Sequence, residues 1–578
     1  MKPGEKIQFK PETTAEAFAG TLAARGVDYL FANGGTDFAP IVEAYAKGQS
    51  LGWKLPQPVI VPHENMGVAM MHGYTMVSGR AQAMMVHVGL GTANCVNGII
   101  NAARQQIPML LSAGRTPLTE SGDVPGARNQ YIHWAQEHFD QGGMLREFVK
   151  WDYELRHPEQ VVTAVDRALA IARSSPQGPV YLTLPREILG APLPQKYATD
   201  NPTMVAPAPS LPDPDAIEQL ARMLGAAARP LLITANGGRS ADARKAIALL
   251  AETFGIPVVH YRPRYLALPT EHPMQAGWDP HALLKDADLV LVVECDVPWI
   301  PAQGNPQPDA KVVHIGADPL FARYPLRGFR TDVALAGAAG PILMALLERA
   351  QHHTPSPDKL KARREQVAAE AQSTRIKARS GAAAMPDAIT PKYLSACLSR
   401  IAGDTTVFVN EYPLLLEEME LRAAGDYYAN PSSGGLGWGL GAALGAKLAS
   451  PEKTVICTVG DGAYMFGNPT PAHYVSQAMG LPALFVIFNN ARWAAVHRST
   501  LAMYPKGHAA GMKEPPFATL EPSPRFEHVV QASGGHGERI TEPKDVLPAL
   551  ERALKIVREE KRQALLNVCL EPSYTKTS

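Results

Sequence analysis

The stretch VGDGAYMFGN, residues 459–468, sets an acidic residue between two glycines directly after the apolar run Thr454-Val455-Ile456-Cys457-Thr458. An Asp-Gly pair can be no more than a turn. It can also be a phosphate and metal site, where glycines let backbone N–H groups approach an anion and the carboxylate holds a divalent cation. Further along, 26 residues separate Gly462 from Asn489-Asn490, which follow the apolar run LPALFVIF. That interval is long enough for one helix and one strand. Asp461 and Asn490 are therefore predicted to end neighbouring parallel strands on one edge of a sheet, where open α/β sheets bind ligands. A carboxylate, an amide oxygen and a backbone carbonyl are hard ligands suited to Mg²⁺ or Ca²⁺ bridging a diphosphate.

Working outward, the same alternation of short apolar runs with helical patterns fills the chain. It begins with Tyr29-Leu30-Phe31, Pro58-Val59-Ile60-Val61, Ala83-Met84-Met85-Val86 and Pro108-Met109-Leu110-Leu111. It resumes in RPLLITANGG, IPVVHYRP, ADLVLVVECDVPW and AKVVHIGADP, and again in TTVFVNEYP, KTVICTVGDG, LPALFVIFNN and QALLNVCLEP. Alternation of this kind argues βαβ units around parallel sheets. The expected class is α/β, with three doubly wound parallel-sheet domains at 1–190, 216–350 and 391–578. A proline-rich linker spans 191–215, and a polar, charged linker with some helix spans 351–390. A chain of 578 residues is long enough for each domain to bury its own core.

Lys plus Arg equals Asp plus Glu at 55 each, so no basic field exists to hold nucleic acid or an anionic membrane. Small molecules become the expected partners. The five cysteines (Cys95, Cys295, Cys397, Cys457, Cys569) are scattered without metal-ligand spacing, which suits a reducing compartment. The opening Met-Lys-Pro-Gly-Glu-Lys lacks the apolar core of a signal peptide, and no apolar run reaches the ~20 residues of a spanning helix. A soluble, cytoplasmic protein is expected.

The Gly-Asp-Gly, 26-residue, Asn-Asn pattern resembles the diphosphate and metal motif of thiamine diphosphate enzymes. HENMGVAMMHGYTMVSGRAQAMMVHVGLGTANCVNGIINAARQQIPMLLSAGR (63–115) resembles the pyrimidine-binding domain of the acetolactate synthase and benzoylformate decarboxylase group. SSGGLGWGLGAALGAKLASPEKTVICTVGDG (432–462) resembles its diphosphate-binding domain, and the middle segment its central nucleotide-fold domain. The resemblance implies thiamine diphosphate and Mg²⁺ as cofactors. Asp461, Asn490 and the carbonyl of Arg492 match the metal ligands, and Gly460, Gly462, Ala463 and Tyr412 the other cofactor contacts. Glu64 matches the glutamate that hydrogen-bonds the pyrimidine ring nitrogen; its bland alternative is a first-turn helix residue. Leu436 matches the wedge that folds the cofactor, and the Gly434 carbonyl the acceptor of the pyrimidine amino group. Because this family shares its cofactor between subunits, at least a homodimer is implied, often a tetramer.

After CO₂ leaves a 2-oxo acid, members of the group either protonate the resulting intermediate to an aldehyde or join it to a second carbonyl compound. His87 in VHVGLGTAN matches a proton-transfer histidine of benzoylformate decarboxylases, and Thr36 in NGGTDF a substrate-contacting serine. The second histidine of those decarboxylases has no clear equivalent in CDVPWIPAQGN (295–305). Gln136-Glu137 instead resembles a Phe-Gln-Glu stretch of the synthases. In ARWAAVHRSTLAMYP (491–505), which departs from the synthase pattern, Ala495, Val496 and Ser499 are candidate pocket walls. The expectation is an acetolactate synthase-like carboligase acting on a 2-oxo acid. The alternatives are an aromatic or branched-chain 2-oxo acid decarboxylase and a non-catalytic scaffold relative. Some relatives carry FAD or ADP in the central domain, and ANGG (235–238) is too weak a glycine signal to assign either.

Overall fold

A computed structural model of the chain describes residues 7–194, 204–210, 212–381, 385–512 and 514–571. The three alternating regions fold into three six-stranded parallel sheets flanked by helices. Counted along the chain, the first and third sheets share the strand order 2-1-3-4-6-5, while the central sheet runs 3-2-1-4-5-6, the order of dinucleotide-binding folds. Parallel strands covered on both faces should be apolar throughout. Leu289–Val293 and Leu484–Asn489 are buried at every position.

The first and third domains share one core, in which Val59, Met66 and Met70 join Leu440, Leu444 and Phe485. At its centre the helix Glu64–Ser78 lies against the helix Trp438–Ala449. Small residues permit the approach: a Cβ on Gly441 would stand 2.5 Å from the Met66 carbonyl oxygen, and one on Gly445 2.7 Å from the Tyr74 nitrogen.

Within 351–390 the structure forms a 23-residue helix, Pro357–Arg379, anchored by buried Leu360, Val367 and Ala371. Of the first linker, residues 195–203 and 211 lie outside the described residues, as do the opening residues 1–6. Among the described residues no helix is long and apolar enough to cross a membrane. All five cysteines are free thiols, and only Cys569 is not fully buried.

Candidate active site

The strands Thr454–Gly460 and Leu484–Asn489 are parallel neighbours, with Gly460 opposite Phe488. Asp461 and Asn490 therefore emerge side by side from one sheet edge. Asp461 opens the helix Asp461–Phe466; its Oδ1 accepts from the Gly462 N–H at 2.9 Å and its Oδ2 from the Arg492 N–H at 3.3 Å. Asn490 Oδ1 accepts from the same Arg492 N–H at 3.1 Å. Two hard oxygens thus converge on one point of the loop, a donor set that fits Mg²⁺. Burial raises the Asp461 carboxyl to about 6. A Cβ on Gly460 would meet open space, whereas one on Gly462 would run into the Trp493 indole. The packed tryptophan therefore accounts for the second glycine. Asn489 points elsewhere, and its Nδ2 donates to Ser523 and Asn567 within the sheet edge. Ala463 is buried in the first turn after Asp461.

The loop ahead of the helix Trp438–Ala449 takes positive φ at Gly434 (68°) and Gly437 (78°), a conformation that favours glycine. Glu411, ending the strand Thr406–Glu411, is wholly buried and holds this loop. Its Oε1 accepts from Gly437 N–H at 2.8 Å and its Oε2 from Gly439 N–H at 2.6 Å. Burial lifts its carboxyl to about 7. Tyr412 follows with φ 82°, and its hydroxyl lies 2.8 Å from where a Cβ on Gly434 would be. Leu436 is partly buried, packed against the shared core.

Glu64 does not cap its own helix. One of its carboxylate oxygens accepts from Asn33 Nδ2 at 2.9 Å and the other from Asn94 Nδ2 at 3.0 Å, and the residue is 6% exposed. The carboxylate is thus held by two neutral amides, with no salt bridge to it among the described residues.

His87 precedes the helix Val88–Arg104. Its Nδ1 lies 2.6 Å from Asp37 Oδ1, while Asp37 Oδ2 accepts from the Val88 N–H at 3.2 Å. The hydrogen bond and charge of Asp37 raise the imidazole above its ordinary value. Side chains on Gly35 and Gly114 would overlap His87 and Asp37 respectively. Val88, a β-branched residue at φ 35°, carries backbone strain of the kind found at functional sites. On the other ring nitrogen, His87 Nε2 stands 3.4 Å from Gln136 Nε2. Glu137, the neighbour of Gln136, pairs with Arg115 and Arg128 at 2.6 Å each. Thr36 Oγ1 lies 3.4 Å from His133 Nε2.

The structure thus brings Thr36, His87 and Gln136 together, and separately Asp461, Asn490 and Arg492. Ala495, Val496 and Ser499 lie on the helix Ala494–Met503 and are exposed; among the described residues they make no side-chain hydrogen bond to the His87 group. Sequence reading missed Asp37, Asn33, Asn94 and Glu411. Asp37 sits inside the stretch NGGTDF, and Glu411 ends an apolar strand just as Asp461 follows one. In the central domain, loops at the strand ends hold a buried Arg264–Asp296 pair with Tyr324 donating to Asp296 at 3.0 Å.

Three family models match in succession: "Thiamine pyrophosphate enzyme, N-terminal TPP binding domain" over 12–144, its central domain over 217–346 and its C-terminal TPP binding domain over 402–568. Benzoylformate decarboxylase of Pseudomonas aeruginosa is 27% identical over 502 residues, covering 84% of this chain and 87% of that protein. An acetolactate synthase large subunit of Parasynechococcus marenigrum is 24% identical over 546 residues, covering 91% and 83%. The solved structure of a thiamine diphosphate-dependent 4-hydroxybenzoylformate decarboxylase of Rhodococcus jostii superposes with a TM-score of 0.77 at 24% identity, covering 97% and 100%.

Proposed function

We propose that this chain, which belongs to the thiamine diphosphate enzymes by all three of its domains, releases CO₂ from a 2-oxo acid and yields chiefly the aldehyde. The observation that carries this reading is the His87–Asp37 pair. When bound, thiamine diphosphate would supply the nucleophilic carbon and the electron sink that loss of CO₂ from a 2-oxo acid requires. The rest is done by the chain. Asp461, Asn490 and the Arg492 carbonyl would hold Mg²⁺ against the diphosphate. Glu64 would exchange a proton with the pyrimidine ring nitrogen, Leu436 would prop the folded cofactor, and the Gly434 carbonyl would accept from the pyrimidine amino group. His87 Nε2 would give a proton to the carbon that has lost CO₂, the Asp37 hydrogen bond favouring the charged imidazole. Thr36 and Gln136 orient the substrate, with Ala495, Val496 and Ser499 as outer walls.

Carboligation, the acetolactate synthase-like outcome, is the second reading. It is favoured by Gln136 beside the salt-bridged Glu137 and by the absence of histidine from residues 295–305. Products from a panel of 2-oxo acids, with and without acceptor aldehydes, decide between them. Aldehyde as the dominant product even with acceptor in excess supports the first reading; hydroxyketone or acetohydroxy acid overturns it. No turnover on any 2-oxo acid would leave a scaffold relative.

Exposed apolar side chains at Tyr131, Phe139, Phe466, Tyr504 and Phe517 support association of copies. We infer a homodimer at least, with a homotetramer the form to test by light scattering. Five free thiols fit a cytoplasmic setting. We assign neither FAD nor ADP to the central domain.

A further inference from the structure

The helix Val88–Arg104 carries asparagines at 94, 97 and 101, a spacing that sets them on one face. The first holds Glu64. The other two reach out of the first domain altogether. Asn97 Nδ2 donates to the Leu436 carbonyl at 3.1 Å, and Asn101 Nδ2 to the Gly435 carbonyl at 2.8 Å. Asn101 Oδ1 in turn accepts from the Gly435 N–H at 3.1 Å and the Ser433 hydroxyl at 2.7 Å. Asn101 is 2% exposed, and its amide pairs with Gly435 as a backbone strand would, donor to acceptor and acceptor to donor. The fit leaves no slack: a Cβ on Gly435 would stand 2.5–2.8 Å from the amide atoms of Asn97 and Asn101. On the far side, Ser432 Oγ lies 3.4 Å from Tyr324 Oη of the central domain.

We propose that Asn101, seconded by Asn97, is a positioning residue for cofactor binding: its paired hydrogen bonds to Gly435 hold Leu436 where the cofactor must fold over it. This rests on the cofactor reading above. One helix thus bonds both the Glu64 carboxylate, through Asn94, and the loop that carries Leu436, through Asn97 and Asn101. Neither Asn101 nor Asn97 bonds to Asp461 or Asn490, so the diphosphate corner should be indifferent to them.

That independence supplies the test. Asn101→Asp is nearly isosteric and keeps the acceptor for Gly435 N–H and Ser433. It loses the donor to the Gly435 carbonyl and sets two oxygens against each other. Titration calorimetry on the full chain would compare thiamine diphosphate with inorganic pyrophosphate, both with Mg²⁺. The proposal expects thiamine diphosphate affinity to fall by about tenfold or more in Asn101→Asp and by less in Asn97→Ala, with pyrophosphate affinity unchanged within about twofold. A purely structural role would weaken both ligands together and lower the melting temperature in step. That result, unchanged thiamine diphosphate binding, or failure of both variants to fold would overturn it. If the wild type binds pyrophosphate but not thiamine diphosphate, the cofactor reading fails instead, and the clamp with it.

Discussion

His87 Nδ1 and Asp37 Oδ1 stand 2.6 Å apart, with Asp37 3% exposed and the imidazole side chain 20% exposed. The pair joins a residue at the start of one helix to a buried carboxylate fifty positions earlier. Its Nε2 side faces Gln136. One ring nitrogen thus meets a buried carboxylate while the other faces a neutral amide, the geometry on which the proposed proton-donor role rests.

The first prediction concerns the pH dependence of that pair. Asp37 raises the imidazole, and the Glu64 charge acts in the same direction, against burial. Asp37→Asn should therefore lower it, moving the alkaline loss of aldehyde release to lower pH, and His87→Ala should cost ~10²–10⁴-fold. The stability sign follows: a raised folded value means the pair's contribution is full below the unfolded value of ~6.5 and is lost as pH rises through the folded value. Profiles of kcat/KM against pH, with denaturant titrations on both sides of neutrality, check both halves. An alkaline limb at the same pH in Asp37→Asn would refute the coupling.

Removing a hard ligand should uncouple the diphosphate corner. Asp461→Ala and Asn490→Ala are each expected to weaken Mg²⁺-dependent thiamine diphosphate retention by more than the ~10–100-fold that loss of an outer-shell partner costs. Chelator should do the same to the wild type. Equilibrium dialysis with and without Mg²⁺ measures it, and retention unchanged in Asp461→Ala would remove the metal assignment.

Glu64→Gln keeps the shape of a side chain held by Asn33 and Asn94, so the variant should fold and bind cofactor. Glutamine cannot cycle a proton, and turnover should drop by ~10²-fold or more. Deuterium exchange at the thiazolium carbon separates the roles: wild-type exchange rates in the variant would leave Glu64 as a structural residue.

The helix contact between the first and third domains supplies a stability prediction. Gly441→Val places a branched side chain where a Cβ already lies 2.5 Å from the Met66 carbonyl oxygen. Overpacking of this kind costs ~1–3 kcal/mol and occasionally more. Gly425→Ala, with nothing within 4 Å of its Cβ position, should change stability far less. Equal melting temperatures for the two variants would mean that the helices can separate at no cost.

What the sequence by itself determined lies in elements whose signal is local. Fully buried parallel strands must be apolar along their length, so runs such as LVLVV and LFVIFN declare themselves, and three α/β domains follow from their alternation. The adjacency of Asp461 and Asn490 was legible because the interval is long enough for a helical crossover and a strand; the structure fills it with two helices, Asp461–Phe466 and Pro469–Ala478, before the strand Leu484–Asn489, and the two strands still pair side by side. Only the tertiary structure decided the rest. Asp37 meets His87 because the first and third strands of the first sheet pair side by side, a register that no nearby residue encodes. Glu411 finds Gly437 and Gly439 through a loop that must turn back over its own strand end. Asn101 and Gly435 are 334 residues apart, and their pairing depends on two glycine-bearing helices closing to near backbone contact. Polar side chains of that kind show no periodicity toward their partners. Their bonds are set by the packing of cores that enclose them, and that packing belongs to the whole chain.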